Sequence, residues 1–223
     1  LPIYNWKDDH IKKHGSVVAQ FIVNEVIDYK KNGVRILPVK VHSKDGQSKL
    51  FDVLCGMSYA VDRHAQIINA SFGYYAKRLS PDNEPDSSSL LFTKYVEKKL
   101  TNNNILLVAA AGNRDDVNEN AVYPSTDPVA RRNLDSVCFY PASMARYLPN
   151  VIAVTTISAM DNTVSPNQNF SPHVVDIGVY ADNTGAGSYA FINPRTGNGA
   201  NTVVGSSFAT PIVTGKICRS EEH

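Results

Sequence analysis

The chain has 223 residues, with 22 Lys plus Arg against 21 Asp plus Glu and a formal net charge of +1. That balance gives no electrostatic reason to expect nucleic acid or an anionic membrane as a partner, and the length suffices to bury the core of one α/β domain. The longest apolar run, Ile105 to Ala111, is too short to span a bilayer, and the N-terminus lacks the basic-then-apolar layout of a signal peptide.

Between His10 and Lys31, apolar residues recur at Val18, Phe21, Ile22 and Val26, and Gly33 follows where a left-handed stop would fall. This predicts a helix over roughly the second half of that span. Val34 to Val41 is a compact β-branched run before the turn signal Lys44-Asp45-Gly46, and reads as a strand. Leu50, Val53, Leu54, Met57 and Val61 share one helical face, and Gln66 to Ser71 reads as the next strand. Tyr74 to Ser89, with two prolines and three consecutive serines, predicts a loop; a helix from about Ser89 to Leu100 and a strand from Ile105 to Ala110 follow.

After Gly112 the regular pattern lapses for nearly forty residues, a length that in a compact domain points to function or disorder. Val151 to Ile157 restores a strand, Val174 to Val179 predicts another, and the Gly/Asn-rich span from Asn183 to Asn201 predicts turns with a short hairpin. Strands alternating with helices imply βαβ units. The sheet is then mostly parallel and buried on both faces, with the site at the carboxyl ends of its strands.

Cys55, Cys138 and Cys218 form no metal-binding or disulfide pattern. Asn69-Ala-Ser71 and Asn169-Phe-Ser171 fit the glycosylation triplet; the first lies in an apolar run, so chance is the better account. Arg131-Arg132 reads as solvated loop charge in preference to an internal cleavage site.

Four short stretches fall on what should be one edge of the sheet: His14-Gly15-Ser16, Asn69 to Gly73, Ala109 to Asn113, and Gly205-Ser-Ser-Phe-Ala-Thr-Pro211. A hydroxyl at a helix N-terminus faces unpaired N–H groups and a favourable dipole, which suits a serine whose reaction builds an oxyanion. Serine needs a base, and imidazole titrates in the right range. His14 sits beside a glycine at a helix start, and Asn113 follows a strand and a glycine, where its amide can donate to an oxyanion. Each has a plainer reading: Ser206-Ser207 as an N-cap, His14 as a structural residue, Asn113 as a turn residue. Joint occurrence favours chemistry. His10, His42, His64, His173 and His223 lie at termini, beside loops or after a proline, and are weaker candidates.

His14-Gly-Ser-Val-Val-Ala19, Arg35 to Val41, Ile67-Ile-Asn-Ala-Ser-Phe-Gly73, Val108-Ala-Ala-Ala-Gly-Asn113, Tyr140-Pro-Ala-Ser143 with Asn150-Val-Ile-Ala-Val154, and Gly205 to Pro211 together resemble the subtilisin-like serine peptidases, in order and over nearly the whole chain. The resemblance implies a three-layer α/β fold, a mostly parallel sheet flanked by helices. It implies a serine endopeptidase with Ser207 as nucleophile, His14 as general base and acid, and Asn113 as the side-chain donor of the oxyanion hole. Loss of that donor in subtilisin costs about 100- to 1000-fold in turnover. Ser71, Phe72 and Gly73 match the strand that pairs with an extended substrate. Ala110, Ala111 and Gly112 match the opposite wall of the pocket for the residue before the cut.

The implied partner is a polypeptide, with neither nucleic acid nor membrane and with oligomeric state open. No cofactor or metal is required for the chemistry; a structural calcium is compatible with the family but assignable to no residue. The resemblance leans toward a secreted or periplasmic setting.

The family also uses an aspartate, on an earlier strand, that orients the histidine. Only Asp8 and Asp9 precede His14, too close to it in sequence to match, and neither is given the role. Ser16 and Ser206 stand where threonine is common, and Val17 where a second histidine is frequent. The expectation is one subtilisin-like domain over 1–223 that is incomplete at both ends. The rival is an inactive relative that binds peptides through the same groove, since losing the acid costs about four orders of magnitude in turnover and spares binding. An α/β-hydrolase fails on order, because His14 precedes Ser207 and Ala209 stands where Gly-x-Ser-x-Gly needs glycine.

Overall fold

A computed structural model describes residues 7–9, 12–26, 34–76, 86–113, 129–182, 187–192 and 200–220. Its centre is a parallel sheet of β1 (Ile67–Ala70), β3 (Leu106–Ala110), β5 (Val151–Ile157) and β6 (Ile177–Tyr180), in the order β1-β3-β5-β6. Asn69 pairs with Val108, Ala109 with Ala153, and Val154 with Ile177, so the carboxyl ends of β1, β3 and β5 lie together.

Side chains alternate across the strands, as the two-residue period requires. Val108 and Val154 face a layer made by α1 (His14–Glu25) and α4 (Ser206–Ser220), which contribute Val17, Val18, Phe21, Phe208, Ala209 and Val213. Leu107, Ala109 and Ala153 face the opposite layer. There α2 (Leu50–Asp62) contributes Val53 and Met57, and α3 (Ser87–Tyr95) contributes Phe92. The last turns after α3 are a π turn, Val96–Leu100, and a 3-10 turn, Thr101–Asn103. The three-layer α/β arrangement is the one expected.

α1 and α4 run side by side in the same direction. The His14 and Phe208 rings lie 5.1 Å apart at one end, and a Cβ at Gly215 would meet Glu25 Cβ at 2.5 Å toward the other. Both N-termini therefore open at the carboxyl edge of the sheet. α1 starts at His14, earlier than the apolar pattern suggests. Asp8 Oδ2 accepts both Ser16 N–H (2.7 Å) and Ser16 Oγ–H (2.9 Å), so an acid outside the helix stabilises its first turn. Gly33, the expected stop, lies outside the described residues.

Residues 34–41 correct the strand expected there. They belong to no helix or strand and to no ladder among the described residues, and Ile36 and Leu37 are each 40% exposed. Val39 and Val41 instead lie against the side-chain-free face of α2 at Gly56. A β-branched run forms a strand only where a neighbour takes its backbone groups.

The loop expected over Tyr74–Ser89 is also corrected at both ends. β2 (Tyr74–Tyr75) pairs antiparallel with β4 (Phe139–Tyr140), and α3 begins at Ser87, where Asp86 accepts Ser89 N–H at 2.8 Å. Of the span after Gly112 without regular pattern, 114–128 lie outside the described residues. The remainder is ordered by 3-10 turns at Ala130–Arg132 and Ala142–Arg146, by β4, and by a bridge from Asn133 to Phe170. β6 starts three residues later and ends one residue later than expected, and β7 (Ser188–Ile192) pairs antiparallel with β8 (Ala200–Val204).

Among the described residues, no helix is long and apolar enough to cross a membrane. Nor is any group of three or more His, Cys, Asp or Glu placed to hold a metal ion.

Candidate active site

All four stretches singled out in the sequence arrive at the carboxyl edge of the sheet. His14 opens α1, Ser71–Gly73 follow β1, Asn113 follows β3, and Ser207 is the second residue of α4. Ser71–Gly73 and Asn113 arrive there because both follow parallel strands, whose carboxyl ends share one edge, and His14 and Ser207 arrive at the N-termini of two helices that run side by side.

Ser206 fastens the start of α4 to the end of β3. Its Oγ accepts Gly112 N–H at 3.0 Å and donates to Asn113 Oδ1 at 3.2 Å, while its N–H donates to the same Oδ1 at 2.9 Å. With the amide oxygen so engaged, Nδ2 is the end of Asn113 left to donate elsewhere. The amide lies over Gly205, where an added Cβ would sit 3.0 Å from both Nδ2 and Oδ1, and where φ is +127°. Only glycine meets both demands. Ser207 is half-buried, and its N–H belongs to the first helical turn, whose donors have no intrahelical acceptor.

His14 is half-buried and stacks at 5.1 Å, tilted, against Phe208, the residue after Ser207. Asp9 pairs with Lys40 Nζ at 2.6 Å, and that hydrogen bond holds its carboxyl below the usual carboxylate range. Asp8 is engaged by Ser16, so the carboxylates of Asp8 and Asp9 have other partners.

A second set of polar side chains fixes the far wall. Asn169 is fully buried; its Nδ2 donates to Ala111 O at 2.9 Å, its N–H to Gly112 O at 3.1 Å, and its Oδ1 accepts Tyr75 Oη–H at 2.9 Å. Tyr75 Oη also lies 3.1 Å from Asn113 O. Gln168, 1% exposed, accepts Ser206 N–H through Oε1 at 2.7 Å, and its backbone bridges antiparallel to Asn113. Arg132 donates to Gln168 O at 3.1 Å and sits over the Phe170 ring, which corrects the reading of Arg132 as solvated loop charge. Burial pushes the Tyr140 hydroxyl well above the ordinary phenol range, so this neighbour of the wall stays neutral.

A family model of the subtilases matches residues 4–222. The chain belongs to the subtilase family. No curated protein matches the sequence. Solved structures similar to this subtilase include a lanthipeptide protease (18% identity, TM-score 0.64, covering 92% of this chain and 59% of that one). The prenylagaramide maturation protease PagA is similar at 25% identity and TM-score 0.52, covering 81% of this chain and 52% of that one. The epidermin leader peptide processing serine protease EpiP from Staphylococcus aureus is similar at 19% identity and TM-score 0.59, covering 82% and 46%. The chain thus spans about half the length of these structures.

Sequence reasoning on this subtilase missed Gln168, Asn169 and Tyr75. Asn169 registered only as part of a glycosylation triplet, and its complete burial supports the view that the triplet motif arises by chance. The one available signal was a run of amides, Asn167-Gln168-Asn169, between strands, which is also what a solvated turn contains.

Proposed function

We propose that this chain is a serine endopeptidase. Ser207 Oγ attacks the carbonyl carbon of the scissile peptide, and His14 takes the serine proton and passes it to the leaving amine. The oxyanion is met by Asn113 Nδ2 and the N–H of Ser207, and water then releases the acyl group from Ser207 by the same proton path in reverse. The extended substrate lies along Ser71–Gly73, with its residue before the cut between that segment and Ala110–Gly112. No cofactor takes part.

The observation that carries this reading is the double engagement of Asn113 Oδ1 by Ser206. It leaves the amide with its donor end available beside the proposed nucleophile and fixed before any substrate arrives. Such preorganisation is what makes an oxyanion donor effective. The processing proteases that share the fold agree with a polypeptide substrate. The second reading, a domain that binds peptides without turnover, draws on one observation: Asp8 and Asp9 are engaged by Ser16 and Lys40.

Labelling of the native protein with a fluorophosphonate probe, read by intact mass, separates the two. The expected result is a single adduct that is absent from Ser207→Ala. No adduct on a folded protein would remove the peptidase reading and leave the peptide-binding one.

A further inference from the structure

The two walls of the proposed pocket each carry a glycine, and the same aromatic ring touches both. A Cβ built on Gly73 would fall 2.3 Å from Phe139 Cε1 and 2.6 Å from its Cζ. One built on Gly112 would fall 2.7 Å from the same Cε1 and 2.8 Å from Cδ1. The ring therefore lies between the segment after β1 and the segment after β3, in contact with each.

Nothing about the ring is loose. Phe139 is 8% exposed, its N–H donates to buried Ser143 Oγ at 2.9 Å, its backbone pairs with Tyr75 in the β2–β4 ladder, and the Tyr75 ring packs edge-on at 4.9 Å. Behind Gly112 stands Asn169 Nδ2, 2.8 Å from the built Cβ and bonded to Ala111 O. A side chain entering between the walls meets carbon already packed at interior density, and swinging the ring aside would break the β2–β4 contacts.

We propose that Phe139 is the floor of the pocket for the residue before the scissile bond, and that it restricts that residue to glycine, alanine or serine. The inference rests on the peptidase reading above and adds the substrate class. A single surplus methylene in a filled pocket costs about 10- to 200-fold in specificity, so a benzyl or isobutyl group in place of a methyl is discriminated by at least about tenfold.

The test uses diphenyl phosphonate esters of one short peptide that differ only in the side chain at the phosphorus-bearing residue, methyl or benzyl. Ser207 Oγ displaces one phenoxide from phosphorus, its proton goes to His14, and the adduct is followed by mass. The unmodified protein is expected to react at least about tenfold faster with the methyl probe. Phe139→Ala is expected to raise the ratio of the benzyl to the methyl rate by about tenfold or more. Phe139→Leu, which keeps more of the core, is expected to fall between.

A wild-type protein that takes the benzyl probe as fast as the methyl one overturns the proposal, whether or not the variants fold. So do variants that fold, react with the methyl probe and show no gain for benzyl. A plain fluorophosphonate distinguishes the two levels of failure. If it labels Ser207 while the peptide probes do not discriminate, only the role of Phe139 falls; if it does not label Ser207, both readings fall.

Discussion

The end of β3 and the segment 34–41 are both rich in apolar residues, yet they end in opposite conditions. At the end of β3, Ala109 and Ala111 are fully buried, and Asn113, Gln168, Asn169 and Ser206 exchange hydrogen bonds that join the strand end to α4. In residues 34–41 no backbone group enters a ladder among the described residues, and Ile36 and Leu37 keep 40% of their surface. An apolar run gains a defined conformation when neighbours on both sides take its backbone groups, as β1 and β5 do for β3. The half of the site proposed to meet the oxyanion is therefore built wholly from elements packed on one another. That is the half in which position matters most to rate.

The contrast can be broken most directly at Asn113. Asn113→Ala removes the donor while leaving Ser207 and His14 in place, and kcat should fall about 100- to 1000-fold (about 2.7–4 kcal/mol) with little change in KM. Steady-state kinetics on a peptide ester checks this, and an unchanged kcat would show that Asn113 faces no charge in the reaction. A smaller effect is expected at Gln168, which is buried behind Ser206. Gln168→Met deletes the acceptor of Ser206 N–H at nearly constant volume. It should lower kcat by up to about 100-fold through misplacement of the Ser206–Asn113 junction, and stability by about 1–3 kcal/mol. Gln168→Glu, which keeps an oxygen at that place, should recover much of the rate. Equal loss in both variants would mean that Gln168 serves packing alone.

How much of this could be read beforehand follows from the range of the forces involved. α2 and the strands β3 and β5 were legible because one buried face, or two, imposes a period on Leu50 to Val61, Leu106 to Ala110 and Val151 to Ile157. The four motif stretches were legible as an edge cluster because each falls at a strand end or a helix start, and in a parallel sheet the strand ends share one side. The β2–β4 pair was not, since each strand has two residues and its partner lies more than sixty positions away, with no local pattern to mark either. Neither was the Gln168–Asn169 network, whose polar side chains acquire meaning only once β3, β5 and α4 surround them. The run 34–41 misled for the opposite reason: its β-branched residues announce a strand, while pairing depends on a neighbour that composition cannot name.

The smallest expected effect sharpens the contrast from the other side. Leu37 is 40% exposed and has no ladder partner among the described residues, so Leu37→Ser removes little buried apolar surface and should change unfolding free energy by no more than about 0.5 kcal/mol. Urea midpoints of the two proteins at equal m-value measure this. The companion change Val41→Ala should cost more, because Val41 Cγ1 stands 2.4 Å from a Cβ built on Gly56 and so fills the notch that this glycine opens in α2. If Leu37→Ser instead cost about 2 kcal/mol or more, a value typical of a buried leucine, the surface carrying Leu37 would be covered in the folded protein. The difference between the two runs would then be one of partner, and not of packing.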